Sequence, residues 1–182
     1  MILPVALYGN PVLCKKAAPV LPDDQQISQL IKDLWATLYR TDGIGLAAPQ
    51  VGHSLQLFVV DLDVYKDEHP ELKGFKKVFI NPQLEVLPSR RVWMTEGCLS
   101  LPGISRKVKR SDKVRIHYYD EQFVAHEEVY AGFAARVIQH EYDHLEGCLF
   151  IDRLGRFKRF LLQIFLRQIR RGKCKPAYRV IQ

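Results

Sequence analysis

Apolar side chains recur at two spacings along this chain, and the switch between the spacings predicts its elements. Ile27, Leu30, Ile31, Leu34 and Leu38 share one face of a 3.6-residue period, so a helix capped by Asp23 or Asp24 runs to about Asp42-Gly43. Residues 55–61 (LQLFVVD) and 78–86 read as strands, and the charged run between them (YKDEHPELKGFKK) reads as a loop or hairpin tip. Residues 92–95, 114–119 and 124–130 add three strand signals. A second helix follows from about Gly132 to Leu145, with Ala134, Val137, Ile138 and Leu145 for its buried side and Gly147 as its stop. Prolines 4, 11 and 19 deny a helix to the first twenty residues, which are expected to wrap the body as an extended segment. The fold class is α+β: mixed or antiparallel strands packed around a central helix, with a further helix at the C-terminus.

Length and composition narrow this picture. A chain of 182 residues suits one domain, read here as 1–182, and such a domain buries enough surface to stand without a structural metal. Cys14, Cys98, Cys148 and Cys174 lie far apart with no Cys-x-x-Cys pair, which suits a reducing cytoplasm. The N-terminus has no basic stretch before its short, proline-broken apolar run, so it resembles neither a signal peptide nor a membrane span. The net charge of +7 is uneven: residues 153–182 hold ten Lys or Arg and no acid, leaving seventeen basic and twenty acidic residues before them. A slightly acidic body carries a basic tail.

The second helix contains Gln139-His140-Glu141-Tyr142-Asp143-His144. Residues four apart stack on one helix face, so both imidazoles can close on one metal ion with Glu141 beside it. A catalytic metal of this kind needs a third protein ligand and an open position. The metzincin spacing would place a third histidine where this chain has Phe150, and no acid follows Asp152, which nearly closes the route through a downstream carboxylate. The ligand is therefore upstream or a cysteine. Cys98 sits at a strand end after a glycine, and Cys148 one turn beyond His144, where Gly147 interrupts the helical phase; geometry favours Cys98 and leaves Cys148 open. Two imidazoles and a thiolate leave a divalent ion a net charge near +1, able to lower the pKa of bound water toward ~7. Metal-bound hydroxide then forms at neutral pH, with Glu141 as the base that takes the proton and returns it to the leaving group.

Three segments together, Gly43-Ile44-Gly45-Leu46-Ala47-Ala48-Pro49-Gln50, Glu96-Gly97-Cys98-Leu99-Ser100 and Gln139 to His144, resemble the signature motifs of the peptide deformylases, in the same order. The likeness covers most of residues 1–152, including Tyr8-Gly9-Asn10-Pro11-Val12-Leu13. It implies Cys98, His140 and His144 as metal ligands, which decides between the cysteines. It further implies Gln50 and the Leu99 N–H as oxyanion donors, the Ile44 and Gly45 backbone as the edge that pairs with the substrate peptide, and ferrous iron as the native ion. Zn2+, Ni2+ or Co2+ suit the same donors. The implied reaction is hydrolysis of the formyl group from N-formylmethionyl nascent chains, releasing formate. Ile44, Phe133 and Val137 offer apolar walls for the methionine side chain. Tyr142 replaces an aliphatic residue common in the family, Arg106 stands one position later than the arginine of many relatives, and Arg136 is unusual beside an apolar pocket, placed at its rim or paired with an acid such as Glu96.

The basic tail mixes Leu154, Phe157, Phe160, Leu161, Ile164, Phe165 and Ile169 with cations, as an amphipathic helix does. It either docks on the body or, as the resemblance suggests, touches ribosomal RNA near the exit of nascent chains; a membrane surface is the weaker third reading. Two rivals to deformylation stand at this point: a metallopeptidase of other specificity, and an RNA-binding module whose metal is structural.

Overall fold

The computed structural model describes residues 1–182. Strand β1 (Val5–Ala6) leads into a short 3-10 turn at Pro11–Cys14, with Pro11 at its start and the Asn10 side chain accepting the Val12 N–H at 3.1 Å. The only helical structure in the first twenty residues is this single turn. Helix α1 (Ile27–Arg40) buries the five predicted apolar positions, together with Asp33 and Thr37. Gln26 stands at its cap and offers no side-chain bond, while Asp24 accepts the Gln26 N–H just before it.

Strand β2 (Gly45–Ala47) follows, where the sequence pattern suggests only a helix-ending loop. Then come β3 (Leu57–Asp61), β4 (Lys76–Val86), β5 (Arg91–Gly97), β6 (Ser105–Ser111), β7 (Lys113–Tyr119) and β8 (Ala125–Ala131). The charged run between β3 and β4 forms a connection with 3-10 turns at Asp63–Tyr65 and Pro70–Leu72. Five strands make an antiparallel sheet in the order β2-β3-β4-β7-β8, and β5 pairs with β6 as a separate antiparallel ribbon. Strand β6 carries no sequence signal because six of its seven residues are polar or charged, with Val108 the one buried aliphatic.

Helix α2 (Gly132–Leu145) lies on the five-stranded sheet as predicted. Ala134, Ala135, Val137, Ile138 and Leu145 pack into one cluster with Phe58, Phe79, Val114 and Ile116. Phe58 and Phe79 are fully buried and stack at 4.6 Å between ring centroids, so truncating either to alanine costs about 3–5 kcal/mol. The helix stops at Gly147, whose φ of 70° suits glycine and whose missing Cβ would lie 2.8 Å from the Cys14 carbonyl carbon. The tail is two short helices, α3 (Arg156–Leu161) and α4 (Gln163–Arg170), followed by β9 (Val180–Ile181), which pairs in parallel with β1. Its apolar set divides differently from the sequence expectation. Leu162, Leu166 and Ile169 dock into the body, while Phe157, Phe160, Leu161, Ile164 and Phe165 are 54–74% exposed. No helix is long and apolar enough to cross a membrane.

Candidate metal centre and its cleft

The buried α2 presents His140 and His144 on one face, their ring centroids 5.2 Å apart and their planes at 79°. Strand β5 ends at Gly97 and delivers Cys98 opposite them, with its Sγ 3.4 Å from His144 Nε2. One donor atom from each of Cys98, His140 and His144 lies within 4.8 Å of the others. Cys148 is not part of this group; its thiol points to the Glu146 carbonyl at 3.7 Å. Phe150, where a metzincin would have its third histidine, is buried and stacks on the His140 ring at 6.1 Å.

A layer of charge orients these donors. Glu96, nearly fully buried, accepts from His140 Nδ1 at 2.9 Å, which leaves His140 Nε2 free to ligate. The same carboxylate takes a two-pronged ion pair from Arg110 at 2.7 and 2.8 Å and a third contact from Arg136 at 2.7 Å. Arg110 continues to Asp143 at 2.7 Å, and Arg153 closes the chain on Asp143. Burial alone would raise the Glu96 carboxyl, but Arg110 and His140 hold it well below the usual carboxylate range. Burial likewise works against a charged His140, yet Cys98 and Glu96 push it up to about 10. His144, by contrast, is kept well below its ordinary value by burial and by His140, so its imidazole stays neutral, the form that could ligate. Its Nδ1 is buried and has no hydrogen-bond partner. A thiolate, two imidazoles and one carboxylate holding a ligand ring fit a divalent ion of the Fe, Co, Ni or Zn type.

Glu141 lies beside the group, and burial pushes its carboxyl up to about 7 against the pull of His140. Its Oε2 has no hydrogen-bond partner. Gly45 passes so close that a Cβ there would sit 2.4 Å from Glu141 Oε1. Gln50 is buried, its Oε1 accepting from the Ala47 N–H at 2.8 Å and its NH2 reaching the Cys98 sulfur at 3.4 Å. These residues border one cleft of about 930 Å³, which also includes Ile44, Leu99, Phe133 and Val137. Tyr65 joins that wall, its ring edge-on to Phe133 at 5.2 Å. It comes from the charged run, where sequence periodicity gives it no special standing.

The three departures also find places. Arg136 is buried against Glu96, with further bonds to the Val92 and Val108 carbonyls. Arg106 is exposed and turns back to the Ser105 carbonyl at 2.7 Å, off the cleft. Tyr142 packs against the core cluster on the far side of α2 from the donors. Sequence spacing missed Arg110 altogether, since nothing in SRKVKRS distinguishes a buried arginine from its exposed neighbours.

Comparison with known proteins converges with this geometry. The sequence profile of a family described as polypeptide deformylase matches residues 2–160. The chain is 43% identical to the peptide deformylase of Flavobacterium psychrophilum, over 99% of this chain and 96% of that one. It is 46% identical to that of Chlorobaculum parvum, over 98% and 93% respectively. The crystal structure of peptide deformylase from Thermus thermophilus superposes with a TM-score of 0.83 at 37% identity, covering 95% of this chain and 100% of that one.

Proposed function

Because the chain belongs to the peptide deformylase family, we propose a mechanism in which its own residues assemble the centre that removes the N-formyl group from N-formylmethionyl nascent peptides. It is a hydrolase of that class, and the grouping of Cys98, His140 and His144 next to Glu141 and Gln50 is the observation that carries the reading. Cys98, His140 and His144 would hold one divalent cation, with Glu96 fixing the His140 ring. When bound, such an ion polarises the formyl oxygen and lowers the pKa of a bound water toward ~7. Ferrous iron is our choice of native ion.

Glu141 takes the proton of the attacking water as the new C–O bond forms, and returns it to the amine nitrogen as the C–N bond breaks. A carboxylate that lines the cleft with one oxygen free of hydrogen-bond partners suits both transfers. The formyl oxygen gains charge during the attack. The Gln50 NH2 and the Leu99 N–H, both from residues that line the cleft, would serve as its donors, and the Gln50 amide is held through its other end by the Ala47 N–H.

Strand β2 is an edge of the sheet, which leaves one side of its backbone open to an extended peptide. The Ile44 carbonyl accepts from the Asp61 N–H at 2.9 Å, so it is the Gly45 backbone that faces the open edge. Ile44, Phe133 and Val137 would then enclose the methionine side chain. We place all 182 residues in one catalytic unit acting in the cytoplasm, and assign the basic tail a contact with ribosomal RNA. The assay that tests the activity measures formate released from an N-formylmethionyl peptide beside its unformylated twin. Formate from the first and no bond cleavage in the second is expected. Peptide-bond cleavage in either would replace this reading with a metallopeptidase.

A further inference from the structure

The last eleven residues lie beyond the segment that matches the family profile, yet they reach the reaction centre. After Gly172 the chain doubles back, and Cys174, Lys175, Pro176 and Tyr178 border the same cleft as the metal-ligating group. Strand β9 is then tied to β1: the Val5 N–H donates to the Arg179 carbonyl at 2.8 Å and the Leu7 N–H to the Ile181 carbonyl at 3.0 Å. The Asn10 amide closes the end with a bond to the Gln182 carbonyl at 3.1 Å. Gly9, at φ 110°, lies so near α4 that a Cβ would meet Arg170 Cγ at 2.7 Å, so the turn after β1 is seated against the tail as well.

This two-stranded ribbon grips the turn that carries Cys98 and Leu99. Within the turn the Leu101 N–H donates to the Cys98 carbonyl at 2.9 Å. Two further bonds come from outside it. The Tyr178 hydroxyl donates to the Leu99 carbonyl at 2.6 Å, and the Tyr8 N–H donates to the Ser100 carbonyl at 2.9 Å. One comes from the segment entering β9 and the other from the residue after Leu7, so the paired chain ends hold consecutive carbonyls of one turn. A turn held at two successive peptide planes has little freedom to rotate the plane that precedes them, which contains the Leu99 N–H.

We propose that the C-terminal segment from Cys174 to Ile181 is a strap that positions this turn, with Tyr178 as the positioning residue that fixes the direction of the Leu99 N–H toward the formyl oxygen. The inference rests on Leu99 being an oxyanion donor. The Tyr178 hydroxyl is committed to the Leu99 carbonyl, and it acts through that bond. The strap also makes the cleft wall depend on the chain's far end, so the two termini and the site form one mechanical unit.

The test is Tyr178→Phe, which keeps the ring in the wall and removes only the hydroxyl. In zinc-loaded protein, the amide resonances of Leu99 and Ser100 are expected to shift in a nitrogen–proton correlation spectrum. Deformylation of a formylmethionyl peptide should lose about tenfold in kcat, with KM unchanged within about twofold, the pattern of a contribution made in the transition state. Amide signals that stay in place overturn the strap's positioning role at any rate. Shifted amides with kcat within about twofold of the parent instead remove the Leu99 donor on which the proposal rests. Tyr178→Leu, which has no side-chain donor, guards against a folding loss: equal thermal stability with the same kcat deficit keeps the conclusion, and kcat equal to that of the parent contradicts it.

Discussion

Glu96 carries more of this site than its place in the sequence suggests. One buried carboxylate orients the His140 ring, balances Arg110 and Arg136, and through Arg110 connects to Asp143. Replacing it by glutamine keeps the shape but leaves the buried Arg136 without its one carboxylate partner and Arg110 with Asp143 alone, a loss of about 3–5 kcal/mol in unfolding free energy. Zinc affinity should also fall, by about 10–100-fold, because the His140 ring loses its anchor. Chemical denaturation and a competition titration with a chelator read the two effects separately. Unchanged metal affinity in Glu96→Gln would remove the carboxylate from the metal site. At this scale the sequence was informative wherever chemistry is local. The four-residue spacing of His140 and His144 and the glycine before Cys98 are visible in the bare chain, and both lead to the observed group. Arg110 and Tyr65 are not legible, because their partners, Glu96 on β5 and Asp143 on α2 for the first and Phe133 on α2 for the second, are brought to them only by the fold.

Among the elements, the two helices with clear 3.6-residue faces, α1 and α2, fall where the apolar pattern puts them. The tail obeys a different rule. Its apolar residues encircle too much of the helix to choose a face from the pattern alone, and the body takes Leu162, Leu166 and Ile169. That leaves an exposed stripe, from Phe157 to Phe165, flanked by cations and bordered by Trp93, which is 52% exposed and has the Lys158 ammonium 5.0 Å from its ring. Removing the tail at Asp152 would therefore also empty part of the core and cut the strap. A cleaner probe of the ribosomal contact is Arg156→Glu, Arg167→Glu and Arg171→Glu combined, all three exposed on the tail. We expect ribosome binding to weaken and its dependence on salt to flatten, with deformylation of a small peptide intact. Binding that keeps its affinity and salt slope would place the contact elsewhere. Strands β2 and β6 escape the pattern for reasons of their own: one is three residues in a glycine-rich stretch, the other sets two adjacent pairs of cations around a single valine.

The whole molecule places a buried helix, a strand end and an edge strand around one cleft, so that three donors, a carboxylate and an amide converge from residues 50 to 144. The rival of a structural metal needs four protein ligands. Only three donors gather here, and Glu141 stands beside them with a free oxygen. Spacing together with the family resemblance is enough to name Cys98, His140, His144 and Glu141 as one candidate group, and the fold brings them together. The sequence could not supply the ribbon of β1 and β9, whose pairing joins residues about as far apart as the chain allows. The central claim is that Glu141 moves the proton in a reaction organised by the Cys98, His140 and His144 group. Its most direct test is the formate-release rate of Glu141→Ala at a metal content verified equal to that of the parent. A fall in kcat of about 10²–10⁴-fold with the ion retained is the predicted result; a rate near that of the parent would contradict the account.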